Sequence, residues 1–421
     1  MNNTIAPIEN KEREVFMDVL RGLAIFGILI ANLTVGGLSW GSNHIKTGPF
    51  LLPELDKQLS FLYTIFIDGK FYSIFSLLFG WGIALQIKRG IFKGGDSIPT
   101  IRRRLFFMLL LGLVHILIWT GDIVLFYAML GFVLLPLRRF SNKSLLITGA
   151  GLIFLPIVLY AAKMQWSWVN APANVLHEIE LITYKHLLGF SDMGNNWDSQ
   201  DLVTWLSQTN WWGILKLNIA SIFSRFWYLF FISRIPKVLG MFLIGFVLGR
   251  SDFYKNFAQN KKTVYWIIGL GLLIGLPANY LLAHYQSNFG ADYFNLKING
   301  LYQTIAYAFG VAPLALAYVG AFMLCFQTTI GNTIMSVLAP VGKMAFSNYM
   351  THSLVCSFIF LPQGLDYGGK VGTIYLSFLA IIIFVSQIFI STIWLRYFNY
   401  GPVEWVWRSL TYGKMQHMRR K

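Results

Sequence analysis

Runs of about twenty apolar residues recur along this chain, and they limit its possible folds more than any other feature of the sequence. A helix of that length crosses the ~30 Å hydrocarbon layer of a bilayer, where every backbone polar group must be bonded within the chain. Of the 421 residues, 56% are hydrophobic and only 12% are charged, which is more apolar than a soluble domain can bury. The sequence therefore predicts an all-α, polytopic integral membrane bundle.

We count ten spans in the sequence. Their expected positions are 16–38, 61–87, 104–120, 121–137, 144–162, 236–249, 263–283, 302–325, 334–361 and 372–395. The sixth span is short, and the stretch "RFWYLFFISRIPKVLGMFLIGFVLG" also fits two membrane segments that are broken at Pro236. The first run is too long for a signal peptide and lacks a small-residue cleavage site, so we expect it to be retained.

Lysine and arginine predict the topology, because cytoplasmic loops retain an excess of them. With ten spans both termini lie inside, on the same side as "QIKRGIFKGGDSIPTIRRR", "RRFSNKS", "GRSDFYKNFAQNKK" and the tail "HMRRK". The formal charge of +16 then lies mostly on cytoplasmic loops, which indicates attraction to anionic membrane lipid. We therefore expect no nucleic-acid partner.

The chain is expected to form one membrane domain with three parts. These are an N-terminal half at 1–162 with the candidate catalytic spans, an extracytoplasmic loop at 163–235 with interfacial helices, and a C-terminal half at 236–421 with an amphipathic cytoplasmic tail. Tryptophans and cations mixed with apolar residues favour helices that lie over the bundle, as a lid or a binding surface. A poorly ordered insertion is the alternative.

Ionisable side chains within the spans are informative, because each costs about 2–3 kcal/mol or more at mid-bilayer and tends to face an interior cavity. Asp18 and Arg21 are three residues apart on one face of the first span. They are expected to pair with each other and pin the helix, or to bind a phosphate-bearing ligand.

A second polar cluster occurs in "FIDGKFYSIF" of the second span. Asp68 and Lys70 are two residues apart, so they point in different directions and each needs another partner. Lys70 either extends to the interface or lines a polar cavity together with the hydroxyls of Tyr72 and Ser73.

A third cluster lies in "HILIWTGDIVLFYAMLG", where His115 lies in the outer part of the third span and Asp122 opens the fourth at a similar depth. A carboxylate beside an imidazole orients the ring and supports general-base or nucleophilic catalysis. A structural histidine with Asp122 as a helix N-cap is the alternative.

The ninth span, "LAPVGKMAFSNYMTHSLVCSF", is the most polar one. Helical spacing places Asn348, Thr351 and His352 on one stripe, which indicates either interhelical hydrogen bonds or a cavity wall. Cys325 and Cys356 lie in apolar spans and are expected to pack, without a disulfide or a metal.

Together these motifs resemble those of the YeiB-like bacterial membrane proteins with a C-terminal domain of unknown function. The matching segments are "DVLRGLAIFGILIANL", "DGKFYSIFSLLFGWG", "RRRLFFMLLLGLVHILIWTGDIVLFYAMLG", "GKMAFSNYMTHS" and "YGPVEWVWRSLTYGK". The resemblance covers most of the chain outside about 163–215. It implies a multi-pass protein of the bacterial plasma membrane.

The family resembles, more distantly, the heparan-alpha-glucosaminide N-acetyltransferases and other transmembrane acyltransferases, through the "D-x-x-RG" of the first span. That kinship implies transfer of an acyl group from a cytoplasmic thioester, acetyl-CoA or another acyl-CoA, to an acceptor outside. It implies a histidine as base or acyl carrier, and we expect no metal.

On this resemblance His115 with Asp122 is the expected catalytic pair, and His44 in the first outer loop is the rival. His352 stands where many relatives have a glutamine, so it is expected to be a pocket residue. Asp18, Arg21, Asp68, Lys70, Tyr72, Ser73, Asn348 and His352 are the expected substrate-binding or cofactor-binding residues. In the tail, Glu404 and Arg408 are four residues apart and are expected to pair on a helix anchored by Trp405 and Trp407.

Two other function classes fit the same residues. A small-solute transporter or exporter would use the buried ionisable groups as a coupling relay. A receptor or partner subunit without chemistry of its own would use the outer loop as its contact surface. The acceptor's identity and a homo-oligomeric state stay open.

Overall fold

The structure is a computed structural model that describes residues 14–35, 37–40, 50–189 and 199–420, with the backbone alone for 199–203. The described chain is all-α, as the sequence predicts, with two isolated β-bridges. Its helices are α1 (Val15–Thr34), α2 (Pro53–Phe66), α3 (Lys70–Phe92), α4 (Ile98–Ile116), α5 (Val124–Leu137), α6 (Asn142–Gln165), α7 (Ala171–Leu188), α8 (Ser199–Gln208), α9 (Trp211–Phe231), α10 (Arg234–Arg250), α11 (Phe257–Phe294), α12 (Ile298–Phe326), α13 (Thr329–Met335), α14 (Ala339–Lys343), α15 (Ala345–Phe360), α16 (Thr373–Tyr397) and α17 (Pro402–Tyr412).

Seven stretches among the described residues are long and apolar enough to cross a membrane. They are α1, the stretch Pro53–Phe92 that contains α2 and α3, α6, α9, α11, α12 and α16. Each of the ten predicted spans also contains a helix. Four of these helices are not among the seven long apolar stretches, namely α4, α5, α10 and α15. The chain is a membrane protein, and the number of helices that cross stays a prediction.

Four segments rich in lysine and arginine lie together at one end of the bundle, which we call the inner end. The contacts that join them are the ion pairs of Lys88 with Asp252 and Lys255 with Glu14, and the hydrogen bonds of Arg250 to the Arg138 carbonyl and of Trp407 to the Arg104 carbonyl. Three of these segments, 86–104, 138–144 and 249–262, are ones that the charge pattern groups on the cytoplasmic side, and α17 leads into the fourth, the tail "HMRRK". We call the opposite end the outer end.

Helix α9 lies across the outer end of the bundle. Asn218 Nδ2 donates to the carbonyl of Leu117 at 2.8 Å, just beyond α4. At the end of α9, the carbonyl of Phe230 accepts a hydrogen bond from Lys163 Nζ of α6 at 3.2 Å. Because residues along the whole of α9 reach the outer ends of α4 and α6, this helix covers the bundle from that side.

Helix breaks affect three of the predicted spans. The second span, 61–87, is divided between α2 and α3 at residues 67–69. The break before the sixth span falls at Ser233, whose φ is 51°, and Pro236 lies within the first turn of α10. The ninth span is divided into α13, α14 and α15, and the last break is at Met344, where ψ is 26°. Proline fits the first turn of a helix because its missing N–H has no partner there in any case.

Candidate functional site

A cavity of about 260 Å³ opens at the inner end and continues between α1, α3, α4, α15 and α17. Along α3 its lining extends from Lys93 to Phe75, about 27 Å of helix rise at ~1.5 Å per residue. That length approaches the ~30 Å thickness of a bilayer's hydrocarbon layer. The apolar side chains that line its deeper part are Ile25, Ile28, Phe75, Leu78, Phe79, Leu105, Met108, Ile123 and Val124.

Cations surround the opening of this cavity. They are Arg21, Arg89, Lys93, Arg104, Lys343 and Arg408, and Glu14 and Glu404 are the acidic lining residues. Arg21 Nη1 donates to Asp18 Oδ1 at 2.9 Å, so the predicted pair forms, with Asp18 buried and Arg21 partly exposed to the cavity. The opening therefore carries the positive potential that a phosphate-bearing ligand needs.

Helix α17 closes one side of this opening. Arg104 stacks on the Trp407 ring at 4.3 Å, and Trp407 Nε1 donates to the Arg104 carbonyl at 2.9 Å. Where the sequence suggested a pair of Glu404 with Arg408, Glu404 instead accepts hydrogen bonds from α15, and Arg408 stacks on the ring of Tyr400 at 4.7 Å. Tryptophan and arginine thus attach the tail helix to the bundle.

Glu404 caps the N-terminus of α15. Its Oε1 accepts from the backbone N–H of Phe346 at 2.7 Å and of Ser347 at 3.1 Å, and its Oε2 accepts from Ser347 Oγ at 2.5 Å. Burial raises the pKa of the Glu404 carboxyl, and these donors oppose the rise. The carboxyl group therefore connects the tail helix to the polar helix α15.

We expect Glu404→Ala to lower the free energy of unfolding by about 1–3 kcal/mol, because two buried N–H groups and a hydroxyl lose their acceptor. Thermal unfolding of the purified protein, followed by tryptophan fluorescence, measures this loss. Glu178→Ala is the control, since Glu178 is exposed on α7, and it should stay within about 0.5 kcal/mol. Equal stability of the two variants would contradict the capping role.

The predicted catalytic pair is formed at the outer end of α4. His115 Nδ1 lies 2.6 Å from Asp122 Oδ1, and both side chains are fully buried. On the other side of the ring, His115 Nε2 lies 2.9 Å from Ser353 Oγ of α15. Because a carboxylate can only accept, the proton is on Nδ1, which leaves Nε2 to accept from the serine hydroxyl. Hydroxyl, imidazole and carboxylate form one chain, the arrangement that activates a serine nucleophile.

Asp122 makes both of the contacts that the sequence left open. Its Oδ2 accepts from the backbone N–H of Leu125 in the first turn of α5 at 2.7 Å, although the N-cap residue is Ile123, and its Oδ1 holds His115. Arg225 of α9 adds a cation, since its Nη2 donates to the backbone carbonyls of Gly121 and Asp122 at 3.3 and 3.2 Å. The carboxylate is thereby fixed in position by the start of α5.

Tyr349 lies between this chain of groups and the cavity. It lines the cavity on one side, and its ring centroid is 5.2 Å from that of His115 on the other. Its hydroxyl accepts from the backbone N–H of Ile123 at 3.3 Å. His115 and Ser353 are not lining residues, and Tyr349 is a lining residue whose ring contacts His115.

The residues of the second cluster separate at the outer end. Lys70 is buried and does not extend to the interface: its Nζ donates to the Thr64 carbonyl at 2.5 Å, near the end of α2. Ser73 Oγ donates to the Gly69 carbonyl at 2.6 Å. Both therefore satisfy backbone carbonyls at the end of α2 and in the turn that follows it.

Tyr72 and Asp68 belong to a different contact set, on the far side of the same turn. The Tyr72 hydroxyl lies 2.5 Å from that of Tyr307 on α12, and its ring lies under the guanidinium of Arg234 at 4.3 Å. Asp68 is within electrostatic range of Arg234 and Lys237. The structure thus brings Tyr72 and Asp68 to a group of cations.

Asn348 and His352 form hydrogen bonds with α16 and are not among the residues that line the cavity. His352 Nε2 lies 2.9 Å from Gln387 Oε1, and Gln387 Nε2 donates to the Asn348 carbonyl at 3.1 Å. Thr351 is exposed. The sequence left two interpretations of this stripe open, interhelical hydrogen bonds or a cavity wall. The observed contacts agree with interhelical hydrogen bonds. The rival histidine, His44, lies outside the described residues.

Comparison with known proteins identifies the family. Residues 248–414 match the family model described as "Protein of unknown function (DUF418)". Over its full length the chain is 30% identical to the "Uncharacterized protein YxaH" of Bacillus subtilis (strain 168), covering 99% of that protein. The chain belongs to this family.

Another relative is the "Uncharacterized protein YeiB" of Escherichia coli (strain K12), which is 27% identical over 95% of this chain and 96% of its own length. The resemblance to YeiB-like proteins is thereby confirmed, and the kinship to acyltransferases stays a prediction. No solved structure matches the chain.

Three residues of this family member's site were missed from the sequence. Ser353 directly follows His352 in "NYMTHS", and only the packing of α15 against α4 reveals its role. Tyr349 lies four residues before Ser353, a helical spacing that is visible in the sequence, but the predicted stripe of Asn348, Thr351 and His352 did not include either residue. Arg225 lies in the long outer stretch, where the sequence gives no position relative to the spans.

Proposed function

We propose that this chain is an acyltransferase of the bacterial plasma membrane, with a cytoplasmic acyl-CoA as donor and an acceptor on the outer side. One observation carries the proposal. The cavity opens among cations at the inner end, and Tyr349 in its lining contacts the His115 that Ser353 and Asp122 hold. Donor recognition and reactive groups would thus be joined across the bundle.

The inner opening fits the donor on chemical grounds. Arginine and lysine bind phosphates through charge-assisted hydrogen bonds, and the opening has six such side chains. The deeper walls are apolar, which suits an extended uncharged arm and excludes water from the reaction. When bound, the donor would supply a thioester carbonyl at the deep end of the cavity.

In the proposed reaction, His115 Nε2 removes the proton of Ser353 Oγ as the oxygen bonds to the acyl carbon. The carbon–sulfur bond then breaks, and the proton passes from Nε2 to the leaving thiolate. The acceptor next attacks the serine ester, loses its proton to Nε2, and Ser353 recovers that proton. Asp122 stabilises the imidazolium in both steps.

The donor site is tested by CoA binding to the purified full chain, measured by calorimetry. Arg89 and Lys93 line the cavity. We expect the double variant Arg89→Gln, Lys93→Gln to bind CoA about tenfold or more weakly, because each phosphate contact contributes on the order of 1.5 kcal/mol. Arg396→Gln is the matched control, because Arg396 is exposed at the end of α16 and is not among the lining residues.

Two results would contradict the proposal. The first is the absence of CoA binding, and the second is CoA binding that neither cavity variant alters. Solute flux into liposomes without any acyl donor would instead favour the transporter alternative.

A further inference from the structure

A group of cations at the outer end is not used by the proposed reaction. Its central members are Arg234 and Lys237, which lie one turn apart at the start of α10 and are both partly accessible. Arg225 and Lys163 are within electrostatic range of this pair. Charges inside a membrane protein are expensive unless they are paired or serve a ligand.

Aromatic rings, and not carboxylates, hold the two central cations. Arg234 lies over the Tyr72 ring at 4.3 Å, and Lys237 Nζ lies over the Tyr307 ring at 4.2 Å. The two tyrosine hydroxyls are 2.5 Å apart, which fixes both rings side by side. A cation–π contact of this kind is attractive but does not neutralise the charge.

The negative charge around the cluster is small. Among the described residues no carboxylate forms an ion pair with Lys163, Arg225, Arg234 or Lys237. Asp68 is within electrostatic range of the central pair, but it also faces Lys70. Asp122 faces Arg225 and is already bonded to His115.

Two further features point to an anionic ligand. Arg225 Nε is buried and has no hydrogen-bond partner within the described part of the chain. The N-terminus of the 17-residue helix α10 adds its positive dipole beside Arg234. Lys163, by contrast, is occupied, since its Nζ donates to the Phe230 and Phe231 carbonyls.

We propose that Arg234 and Lys237, with Arg225 beside them, form an outer binding site for a phosphate group. The guanidinium offers a planar pair of donors and the ammonium a point charge, a combination that suits the several oxygens of a phosphate better than one carboxylate. A phospholipid headgroup and a soluble phosphate share this chemistry. The site does not depend on acyl transfer, and a phosphate-bearing acceptor would lie next to Asp122 if the proposed function holds.

Binding of two phosphate probes to the full chain in a phosphate-free maltoside detergent tests this inference. Inorganic phosphate and a short-chain phosphatidylglycerol are titrated separately, and the rise in melting temperature gives the affinity of each. Acetate at equal ionic strength is the carboxylate control. We expect at least one phosphate probe to bind at least tenfold more tightly than acetate.

Arg234→Gln and Lys237→Met should each lower the affinity for the phosphate probe that binds at least tenfold. Lys237→Met keeps an unbranched side chain beside Tyr307 but removes the charge, so this variant tests the site if Arg234→Gln fails to fold. Lys297→Gln is the matched control, since Lys297 is exposed and pairs with Asp292 at 3.3 Å, and its affinity should equal that of the unaltered chain.

The outcomes distinguish a lipid headgroup from a soluble phosphate as the ligand, and they distinguish failure of the outer site from failure of the proposed function. Response to phosphatidylglycerol alone identifies a lipid headgroup, and response to inorganic phosphate identifies a soluble ligand. If neither probe binds, or the folded Lys237→Met variant binds as the unaltered chain does, the site is overturned. CoA binding at the inner cavity is measured independently, so the outer site and the proposed function can fail separately.

Discussion

Ser353→Ala and His115→Ala should each reduce acyl-donor turnover by about a thousandfold or more, with the chain still folded. Ser353 Oγ and His115 Nε2 are 2.9 Å apart. In the proposed reaction the serine is the nucleophile and the histidine is its base, so the loss of either group stops the reaction. Because the two act as a unit, the double variant should be hardly worse than either single variant. Release of free thiol from acetyl-CoA and labelling of the protein by the acyl group measure the loss.

Ser357→Ala is the matched control for this experiment. Ser357 is buried one turn further along α15, and its hydroxyl has no hydrogen-bond partner among the described residues. Its turnover and melting temperature should therefore match those of the unaltered chain. A Ser353→Ala variant that turns over normally would remove the serine from the reaction, and a normal His115→Ala variant would overturn the catalytic proposal.

The sequence could predict the His115–Asp122 contact but not its third member. His115 and Asp122 are seven residues apart, across the short connection of α4 and α5, so local geometry brings them together. Ser353 is 238 positions away from His115, and their contact depends on how α15 packs in the bundle. Helical spacing gives the face of one helix and not the identity of its neighbour.

The ninth span illustrates the same limit. The stripe of Asn348 and His352 is real, but Gln387 of α16 is its neighbour, and the cavity lies elsewhere. Tyr349, on the adjoining side of α15, contacts both the cavity and His115. One helix thus has a structural polar face and a face towards the candidate site, and only tertiary packing distinguishes them.

Charge patterns predicted the inner end well, because the excess of lysine and arginine is a property of whole loops and not of single contacts. The outer cations were harder to predict. Arg234 lies after the break at Ser233, and Tyr307, which lies beside it, comes 73 positions later in the chain. Their meeting requires α10 to lie close to α3 and α12.

Gly245→Val should lower the free energy of unfolding by about 3 kcal/mol or more. A Cβ at Gly245 would lie 1.9 Å from the Leu77 carbonyl oxygen, and a Cβ at Gly80 would lie 2.0 Å from that of Phe242. Helices α3 and α10 therefore touch backbone to backbone at two reciprocal glycines, as small residues allow in membranes. The obstacle is backbone, which cannot rotate away as a side chain can, so the helices must separate.

Thermal unfolding measures this loss, and Gly269→Val on α11 is its control, since a Cβ there meets nothing within 4 Å. The control should stay within about 0.5 kcal/mol of the unaltered chain. Gly245 is eleven residues after Arg234, about 16 Å along one rigid helix, so forcing α10 away from α3 also moves Arg234 from Tyr72. Any folded Gly245→Val protein should therefore bind the outer phosphate probe more weakly. Unchanged stability would show that α3 and α10 are further apart, and the placement of the outer cations against Tyr72 would then lose its support.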